Sequence, residues 1–330
     1  MSFRHVRIRY RLNGAYVPPW RTDSASQWQA DTIFGRLCWT YLRRHSAADL
    51  TCLLRRYEAG DPPLILSNGF PGDYLPRPLL MPVLPTAPRT LADKRHAAMI
   101  EKDQRNISLL TRDEFLRAIN GQPLGHLTMA GRREALYTTT RMRNSLHRLT
   151  NTTTGPDGAV EDSGALFTMP VAYTPHICIY AKIADDFLTE AEALFADLEH
   201  WGFGKHASIG LGAVSCEEHW FEECPELRCA GEANGFVALS HFAPAREDPT
   251  DGRWRLLVKY GKFGDTRATT IPSGSDDAQP FKRPVIMLEA GATFRCHPVR
   301  PWYGRLLAGL SAYYSDARQY AYCYAVPCRV

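Results

Sequence analysis

Residues 201–214 read WGFGKHASIGLGAV, a stretch in which glycine and basic residues are concentrated. Glycine adopts positive φ angles easily and has no Cβ, so a glycine-rich loop lets backbone N–H groups come close to a ligand. Loops of this kind recur where proteins bind phosphate groups. The residues of interest are Gly202, Gly204, Lys205, His206, Ser208, Gly210 and Gly212. The segments on either side decide which kind of loop this is.

The order of the flanking segments argues against a dinucleotide-binding loop. Gly202, Gly204 and Ala207 fit a G-x-G-x-x-A spacing, but that motif follows a strand and opens a helix. Here the order is reversed, because apolar residues upstream recur at helical spacing and GAVSCEEHWFEE downstream is typical of extended chain. A Walker A loop is also excluded, since Glu199 and Leu256 stand where its first glycine would precede the two Gly-Lys pairs. Two interpretations stay open: a phosphate-binding loop, or a tight connection whose glycines serve only packing.

The rest of the sequence predicts an α+β fold. In FRHVRIRYRL (3–12) apolar and basic residues alternate, which predicts a strand with one packed face and one basic face. ADTIFGRLCWTYLRRH (30–45) has the periodicity of a helix, which Asp31 could cap. Further strands are predicted for HICIYAKI, ANGFVALSHFAP, RWRLLVKYGKF, RPVIMLEAGATF and AYCYAVPCRV.

A basic, threonine-rich segment lies between about residues 130 and 170. It ends in a cluster of Gly, Pro and Asp, which indicates a turn. One interpretation is a basic arm or hairpin that projects from its domain, and the other is a solvated loop whose charges serve solubility. The arginines of this segment are Arg132, Arg133, Arg141, Arg143 and Arg148.

Composition restricts the class of protein. The 330 residues are 45% hydrophobic and 22% charged with a formal net charge of +4, so nucleic-acid contact would have to use a local basic patch. The nine cysteines include no C-x-x-C pair, which argues against a zinc ribbon and predicts reduced, structural thiols. The sequence has no secretory h-region and no apolar run of ~18 residues, so we expect a cytoplasmic protein without membrane contact.

Five segments occur in an order typical of one protein family. They are ADTIFGRLCW, LILSNGFPGDYLPRPLL, RNSLHRLTNTTTG followed by GALF, GFGKHASIGLGAV and RPVIMLEAGATF. In this order they resemble the RAMP proteins of type III CRISPR effector complexes, above all the Csm (subtype III-A) subunit that caps the 5′ handle of the guide RNA (crRNA). The resemblance covers essentially the whole chain. Its most specific elements are the glycine-rich loop and the run Ser67, Phe70, Pro71, Pro76, Pro78 and Leu79.

The resemblance implies an α+β fold of two ferredoxin-like, RRM-related domains. The first would comprise residues 1–222, with the basic arm inserted at about 130–170. The glycine-rich loop, 202–212, would lie between the last helix and the last strand of this domain. The second domain would comprise residues 223–330. The helix–loop–strand order deduced from the sequence agrees with this placement of the loop.

The resemblance also implies which residues contact RNA. Backbone N–H groups from Gly204 to Gly212 would hold phosphates of the crRNA handle, and the arginine-rich hairpin would lie across the guide. An aromatic residue near the first helix would stack on an unpaired base. The full set is Gly202, Gly204, Lys205, His206, Ser208, Gly210, Gly212, Arg141, Arg143, Arg148, Trp20, Arg21, Phe34 and Arg36. Two positions depart from the family: His206 replaces a usual arginine, and Ala30 replaces a frequent serine.

The predicted function is therefore that of a non-catalytic crRNA-binding subunit of a type III CRISPR ribonucleoprotein in antiviral defence. Its expected partners are crRNA, the large polymerase-like subunit and the backbone RAMP subunits. No cofactor, metal ion or catalytic residue is expected, and since the RNP1 motif is absent, neither is base recognition by sheet aromatics. The alternative is a metal-independent endoribonuclease that processes repeat RNA with His147 or His206 as general acid/base, as other RAMP relatives do.

Overall fold

The structure is a computed structural model that describes residues 2–17, 28–80, 90, 107–124, 127, 135–144, 146, 152–153, 166–204, 206–263 and 281–330. Its α-helices are α1 (Ala30–Arg44), α2 (Ala47–Glu58), α3 (Arg112–Ile119), α4 (Leu188–Ala196) and α5 (Leu198–Trp201). Its first eight strands are β1 (Phe3–Leu12), β2 (Leu64–Pro71), β3 (Leu75–Pro76), β4 (Leu109–Leu110), β5 (Tyr137–Asn144), β6 (Leu166–Tyr173), β7 (His176–Ala184) and β8 (Val214–Glu223). The remaining strands are β9 (Gly235–Ala238), β10 (Gly252–Arg253), β11 (Leu256–Lys259), β12 (Val285–Leu288), β13 (Thr293–Arg295), β14 (Trp302–Leu307) and β15 (Gln319–Cys328).

The first sheet is antiparallel and has the strand order β2-β7-β1-β8. β1 lies inside the sheet because it pairs with both β7 and β8. Its predicted alternation is confirmed, since Val6, Ile8 and Tyr10 are fully buried. They pack toward the helices, where the Tyr10 hydroxyl donates a 2.8 Å hydrogen bond to the backbone oxygen of Phe195 in α4. Helices α1 and α4 thus cover one face of this sheet.

The opposite face of β1 carries its basic residues, and carboxylates of β8 pair with two of them. The guanidinium of Arg7 lies 2.8 Å from the carboxylate of Glu222. That of Arg11 lies 3.2 Å from the carboxylate of Glu217. Opposite charges on neighbouring strands stabilise a sheet modestly and cancel much of each other's field. Much of the positive charge of this face is therefore compensated, which makes the face a poor candidate for phosphate binding.

The second sheet is also antiparallel, with the strand order β10-β13-β9-β15-β14. Within residues 214–263 and 281–330 the structure contains no α-helix, whereas a second ferredoxin-like unit would have helices on one face. Helices of the first half supply that cover. The ring of Phe34 in α1 stacks on Tyr320 of β15 at 4.7 Å, and Tyr57 of α2 lies 5.7 Å from the ring of Tyr322. The two sheets therefore share one hydrophobic core.

The run that begins at Ser67 forms a junction between the two sheets. The Ser67 hydroxyl accepts a 2.8 Å hydrogen bond from the N–H of Tyr180 in β7. The N–H of Asn68 donates to the backbone oxygen of Leu239, which follows β9, at 2.8 Å. The pairing of β2 with β7 shifts register between Leu66 and Gly69, which frees Asn68 for this contact. These residues hold the fold together.

The expected capping of α1 by Asp31 is wrong. The N-cap is Gln29, and the side-chain oxygen of Asn68 accepts a 3.0 Å hydrogen bond from the first helical N–H, that of Ala30. Asp31 instead lies buried one position into the helix, 2.9 Å from the Nζ of Lys259 in β11. Burial alone would raise the pKa of Asp31, but the ammonium of Lys259 holds it below its usual value. A carboxylate that the sequence assigns to a local cap thus joins the helix to the second half of the chain.

Candidate nucleic-acid interface

The glycine-rich loop contains two inner and two outer glycines. Gly202 and Gly212 are inner: a Cβ on Gly212 would lie 1.9 Å from the backbone oxygen of Phe203, and one on Gly202 would lie 3.2 Å from that of Gly212. Gly204 and Gly210 are outer, because a Cβ on either would meet nothing within 4 Å. All four have positive φ angles between 64° and 87°. The inner pair closes the loop, and the outer pair leaves backbone open to an approaching ligand.

Most N–H groups in the second half of the loop are already used by the protein. The N–H groups of Ile209, Gly210 and Leu211 donate to backbone oxygens within the loop, and that of Gly212 donates to Ala15 at 2.8 Å. The expectation that N–H groups from Gly204 to Gly212 all hold phosphate is therefore wrong for residues 209–212. A phosphate would have to be met by the first part of the loop, residues 204–208.

That first part is described only partly. Lys205 lies outside the described residues, as does the side chain of Ser208. His206 is described and has a φ of 65°, a left-handed conformation that few residues other than glycine adopt. A 3₁₀ turn, Ala207–Ile209, follows it. The backbone thus reverses sharply at His206 and directs the turn outward beside Gly204.

An aromatic contact fixes the loop against the rest of the first half. Phe203 is buried and stacks on the indole of Trp28 at 3.9 Å between ring centroids. Trp28 in turn forms a two-way backbone bridge with Gly69 of β2, where a Cβ would lie 2.9 Å from the Cβ of Trp28. The loop is therefore tied to the Ser67 junction, so its outer glycines project from a rigid base.

The predicted basic hairpin is present as β5 and β6. Arg141 is paired in register with Met169, and Arg143 with Phe167. Side chains directly opposite each other on antiparallel strands lie on the same face. Arg141 also donates a hydrogen bond to the hydroxyl of Tyr173, and its guanidinium lies 5.6 Å from that ring. Arg141 and Arg143 therefore share one face of the hairpin.

The base of that same face packs on the glycine-rich loop. Met169 and Val171 are buried in a small cluster with Leu211 of the loop and Ala15. The chain at Tyr16 also pairs with β6, while the oxygen of Ala15 accepts the N–H of Gly212. The arginine-bearing face of the hairpin and the loop thus form one continuous surface, which we call the loop–hairpin surface.

The structure corrects one predicted RNA contact. Phe34 is buried in the shared core, where it stacks on Tyr320, so it cannot stack on a base. Arg36 lies on the surface of α1 and donates a 3.1 Å hydrogen bond to the backbone oxygen of Trp201, immediately before the loop. The remaining predicted residues, Trp20, Arg21 and Arg148, and the alternative catalytic residue His147, lie outside the described residues.

The hairpin also exposes large apolar side chains that the sequence-based prediction did not include. Tyr137 is 59% exposed and Phe167 is 47% exposed, and both lie on the arginine-bearing face. Exposed aromatic rings beside arginines are typical of surfaces that bind single-stranded nucleic acid. The alternation in YTTTRMRN would have indicated them, because it places Tyr137, Arg141 and Arg143 on one face of a strand.

The described part of the chain lacks the features of two other classes of site. Among those residues no group of three or more His, Cys, Asp or Glu side chains is arranged to hold a metal ion. No helix there combines the length and the apolar composition that crossing a lipid bilayer requires.

Comparison with known proteins identifies the fold. No protein-family profile matches the sequence, and no curated protein matches it either. Among solved structures, 99% of the chain superposes on 98% of a chain in the crystal structure of the Csm1-Csm4 cassette in complex with cA4, with a TM-score of 0.60 and 15% identity. The chain also superposes on 100% of a chain in the crystal structure of the Csm3-Csm4 subcomplex of the type III-A CRISPR-Cas interference complex, with a TM-score of 0.56 and 11% identity. The expected resemblance is therefore confirmed at the level of the fold.

Proposed function

We propose, from this shared fold, that the chain is a crRNA-binding subunit of a type III CRISPR ribonucleoprotein. The observation that carries the proposal is the superposition over 99% of the chain on proteins from Csm assemblies. Csm4 is the component that the names of these assemblies share, and it occurs there with Csm1 and with Csm3. By analogy, the partners of this chain are a large polymerase-like subunit, backbone RAMP subunits and crRNA.

The loop–hairpin surface supports RNA binding through the phosphate backbone. It combines a glycine-rich turn with open backbone at Gly204 and the arginines of β5, of which Arg141 is exposed and Arg143 is partly exposed. Such contacts fix the position of a nucleic acid without reading its sequence. We propose that this surface holds the 5′ handle of crRNA, since a subunit that caps every guide must bind it independently of the guide sequence.

The proposed subunit acts without catalysis. Holding and positioning an RNA requires only complementary charge and shape, which the loop–hairpin surface provides. His206 lies in a tight left-handed turn of this surface, where it contributes to the shape of the loop.

We further propose that residues 1–222 form a ferredoxin-like domain. Along the chain its elements run β1, α1, β2, β7, α4, β8, and the strand order β2-β7-β1-β8 is the one that a β-α-β-β-α-β unit produces. The hairpin of β5 and β6 is then an insertion between β2 and β7. Residues 223–330 would form the second domain, which relies on α1 and α2 for its cover.

Purification of the tagged chain from its native host tests the proposal. We expect short RNAs to copurify, with variable interiors and one fixed 5′ sequence that sequencing of their ends would show. Incubation of the purified complex with repeat RNA would show no cleavage. Absence of RNA would contradict the proposal, and cleavage that is lost in His147→Ala or His206→Ala would favour the ribonuclease.

A further inference from the structure

We propose that Trp201 is a stacking platform for one nucleobase of the bound RNA. The ring lies beside the glycine-rich loop and is held by Arg36 and Arg43 of α1. This inference deepens the proposed function and rests on it, because it assumes a single-stranded RNA that passes the loop.

Trp201 is placed where an RNA on the loop would reach it. It is the last residue of α5, and the next residue, Gly202, begins the loop. Its side chain is 45% exposed, although tryptophan is among the residues that are most buried on average. Phe203, two residues later, is buried against Trp28. The chain therefore turns one aromatic ring into the core and the neighbouring one toward solvent.

Two arginines of α1 hold the exposed ring. The guanidinium carbon of Arg43 lies 4.0 Å from the centroid of the Trp201 ring, and that of Arg36 lies 5.8 Å from it. Arg36 also donates a 3.1 Å hydrogen bond to the backbone oxygen of Trp201. Residues seven apart lie on the same face of a helix, so both cations approach from one side of α1. Contact distances of this kind are those of cation–π interactions.

Two carboxylates near this end of α1 have partners other than Arg36 and Arg43. The carboxylate of Asp197 lies 3.3 Å from the guanidinium of Arg44. That of Glu190 lies 2.9 Å from the ring nitrogen of His45. Both pairs lie at the end of α1 that follows Arg43. Glu199, two residues before Trp201 in α5, adds one carboxylate to this region, against the two guanidinium groups of Arg36 and Arg43 that lie near the ring.

This combination fits a nucleotide better than it fits a protein side chain. A base can stack on the exposed part of the indole, while the phosphate attached to it meets the guanidinium groups. Stacking on an aromatic ring does not depend on the identity of the base. The stacking contact that the sequence suggested for the region of Phe34 is thus available at Trp201 instead.

Binding of a single-stranded RNA 12-mer by the full-length chain tests the inference. A second set of 12-mers carries one abasic nucleotide, moved along the strand. We expect Trp201→Ala to weaken binding of the intact RNA about tenfold or more, and Trp201→Phe to weaken it much less. For the wild type, the 12-mer that is abasic at one particular position should bind more weakly than the intact 12-mer. Trp201→Ala should bind these two RNAs equally well, because the substitution has already removed the contact with that base. Trp254→Ala is the matched control, since Trp254 is 43% exposed on the second half of the chain.

The outcomes separate this inference from the proposed function. If the wild type binds the 12-mer and Trp201→Ala binds it equally well, the platform is refuted while the proposed function stands. The platform is also refuted if each abasic position weakens RNA binding by the same factor in the wild type and in Trp201→Ala. If the wild-type chain binds no RNA, alone or in its complex, the proposed function fails and the platform fails with it. Thermal unfolding of each variant verifies that the exposed substitution leaves the fold intact.

Discussion

Gly212 and Gly210 both adopt positive φ angles, but only Gly212 is enclosed by a neighbouring backbone. We expect Gly212→Ala to destabilise the protein by at least ~2 kcal/mol, because its Cβ would overlap the oxygen of Phe203. Gly210→Ala adds only the strain of a left-handed residue, roughly 1 kcal/mol. Urea unfolding of both variants measures the two effects. Equal stability of the two would contradict the closed loop described above.

Lys182 makes stability depend on pH. Its ammonium is buried between the sheets, where it donates to the backbone oxygens of Pro301 and Ala325 at 2.9 and 2.8 Å. Burial lowers its pKa from 10.5 to about 8, although Glu226 opposes the shift. Between these pH values the unfolded lysine keeps a proton that the folded one has lost, so raising the pH favours the folded state.

We therefore expect the free energy of unfolding of the wild type, relative to Lys182→Met, to rise between about pH 8 and pH 10.5. The rise should approach roughly 3 kcal/mol, the equivalent of the pKa difference. Denaturant titrations of both proteins at each pH give this difference, in which the contributions of titrating groups that do not interact with Lys182 cancel. A difference that stays constant with pH would show that Lys182 is not buried as described.

Single residues show where prediction from sequence succeeded and where it failed. The alternation of β1 was predictable, because one strand with one packed face obeys a local rule. The burial of Phe34 was not, since α1 is covered both by the first sheet and by β15, and β15 follows it by more than 270 residues in the chain. The predicted role of Asp31 as a helix cap was wrong for the same reason, because its partner Lys259 is distant in sequence.

At the scale of elements, the hairpin of β5 and β6 should carry much of the salt dependence of RNA binding. We expect Arg141→Gln and Arg143→Gln each to weaken binding about equally for different RNA sequences. A plot of the logarithm of the binding constant against the logarithm of the salt concentration has a negative slope. Each substitution should make this slope about 0.7 less steep, the value for one lost phosphate contact to single-stranded RNA. Filter binding at several salt concentrations measures both quantities.

Arg305→Gln provides the control for the hairpin variants. Arg305 is an exposed arginine on β14 of the second sheet, so its loss removes the same charge from the protein. Its affinity and salt slope should match those of the wild type. If Arg305→Gln changed both as much as the hairpin variants do, the effect would come from net charge, and the loop–hairpin surface would not be the binding site.

The elements themselves were predicted better than their association. The helix, loop and strand around the glycines follow from periodicity, whereas the hairpin was one of two interpretations of a basic segment with turn residues, and the family resemblance favoured it. Periodicity does not predict the register of β5 and β6, in which Arg141 pairs with Met169. This register brings the arginine-bearing face onto Leu211 of the loop. The engagement of the N–H groups of residues 209–212 was equally hidden, because it depends on Ala15 and on the closure of the turn.

At the scale of the whole molecule, we expect one cooperative unfolding transition. Phe34 and Tyr57 pack on tyrosines of β15, and the buried Lys182 joins β7 to the second sheet. A fragment of residues 1–222 would expose these rings, so it should lack a cooperative transition in urea followed by circular dichroism. A fragment that unfolds cooperatively by itself would instead show that the predicted boundary at residue 222 separates independent domains.

The central position of β1 has a consequence for synthesis on the ribosome. β1 is made long before its partners β7 and β8, which span residues 176–184 and 214–223. At ~5–20 residues per second, the strand waits on the order of ten seconds for the first of them. During that time its row of Val6, Ile8 and Tyr10 is free to associate with other nascent chains. The arginines between them repel such contacts, as charged gatekeepers do in aggregation-prone strands. The charge of Arg7, which Glu222 of β8 neutralises in the finished protein, thus protects the chain before β8 exists.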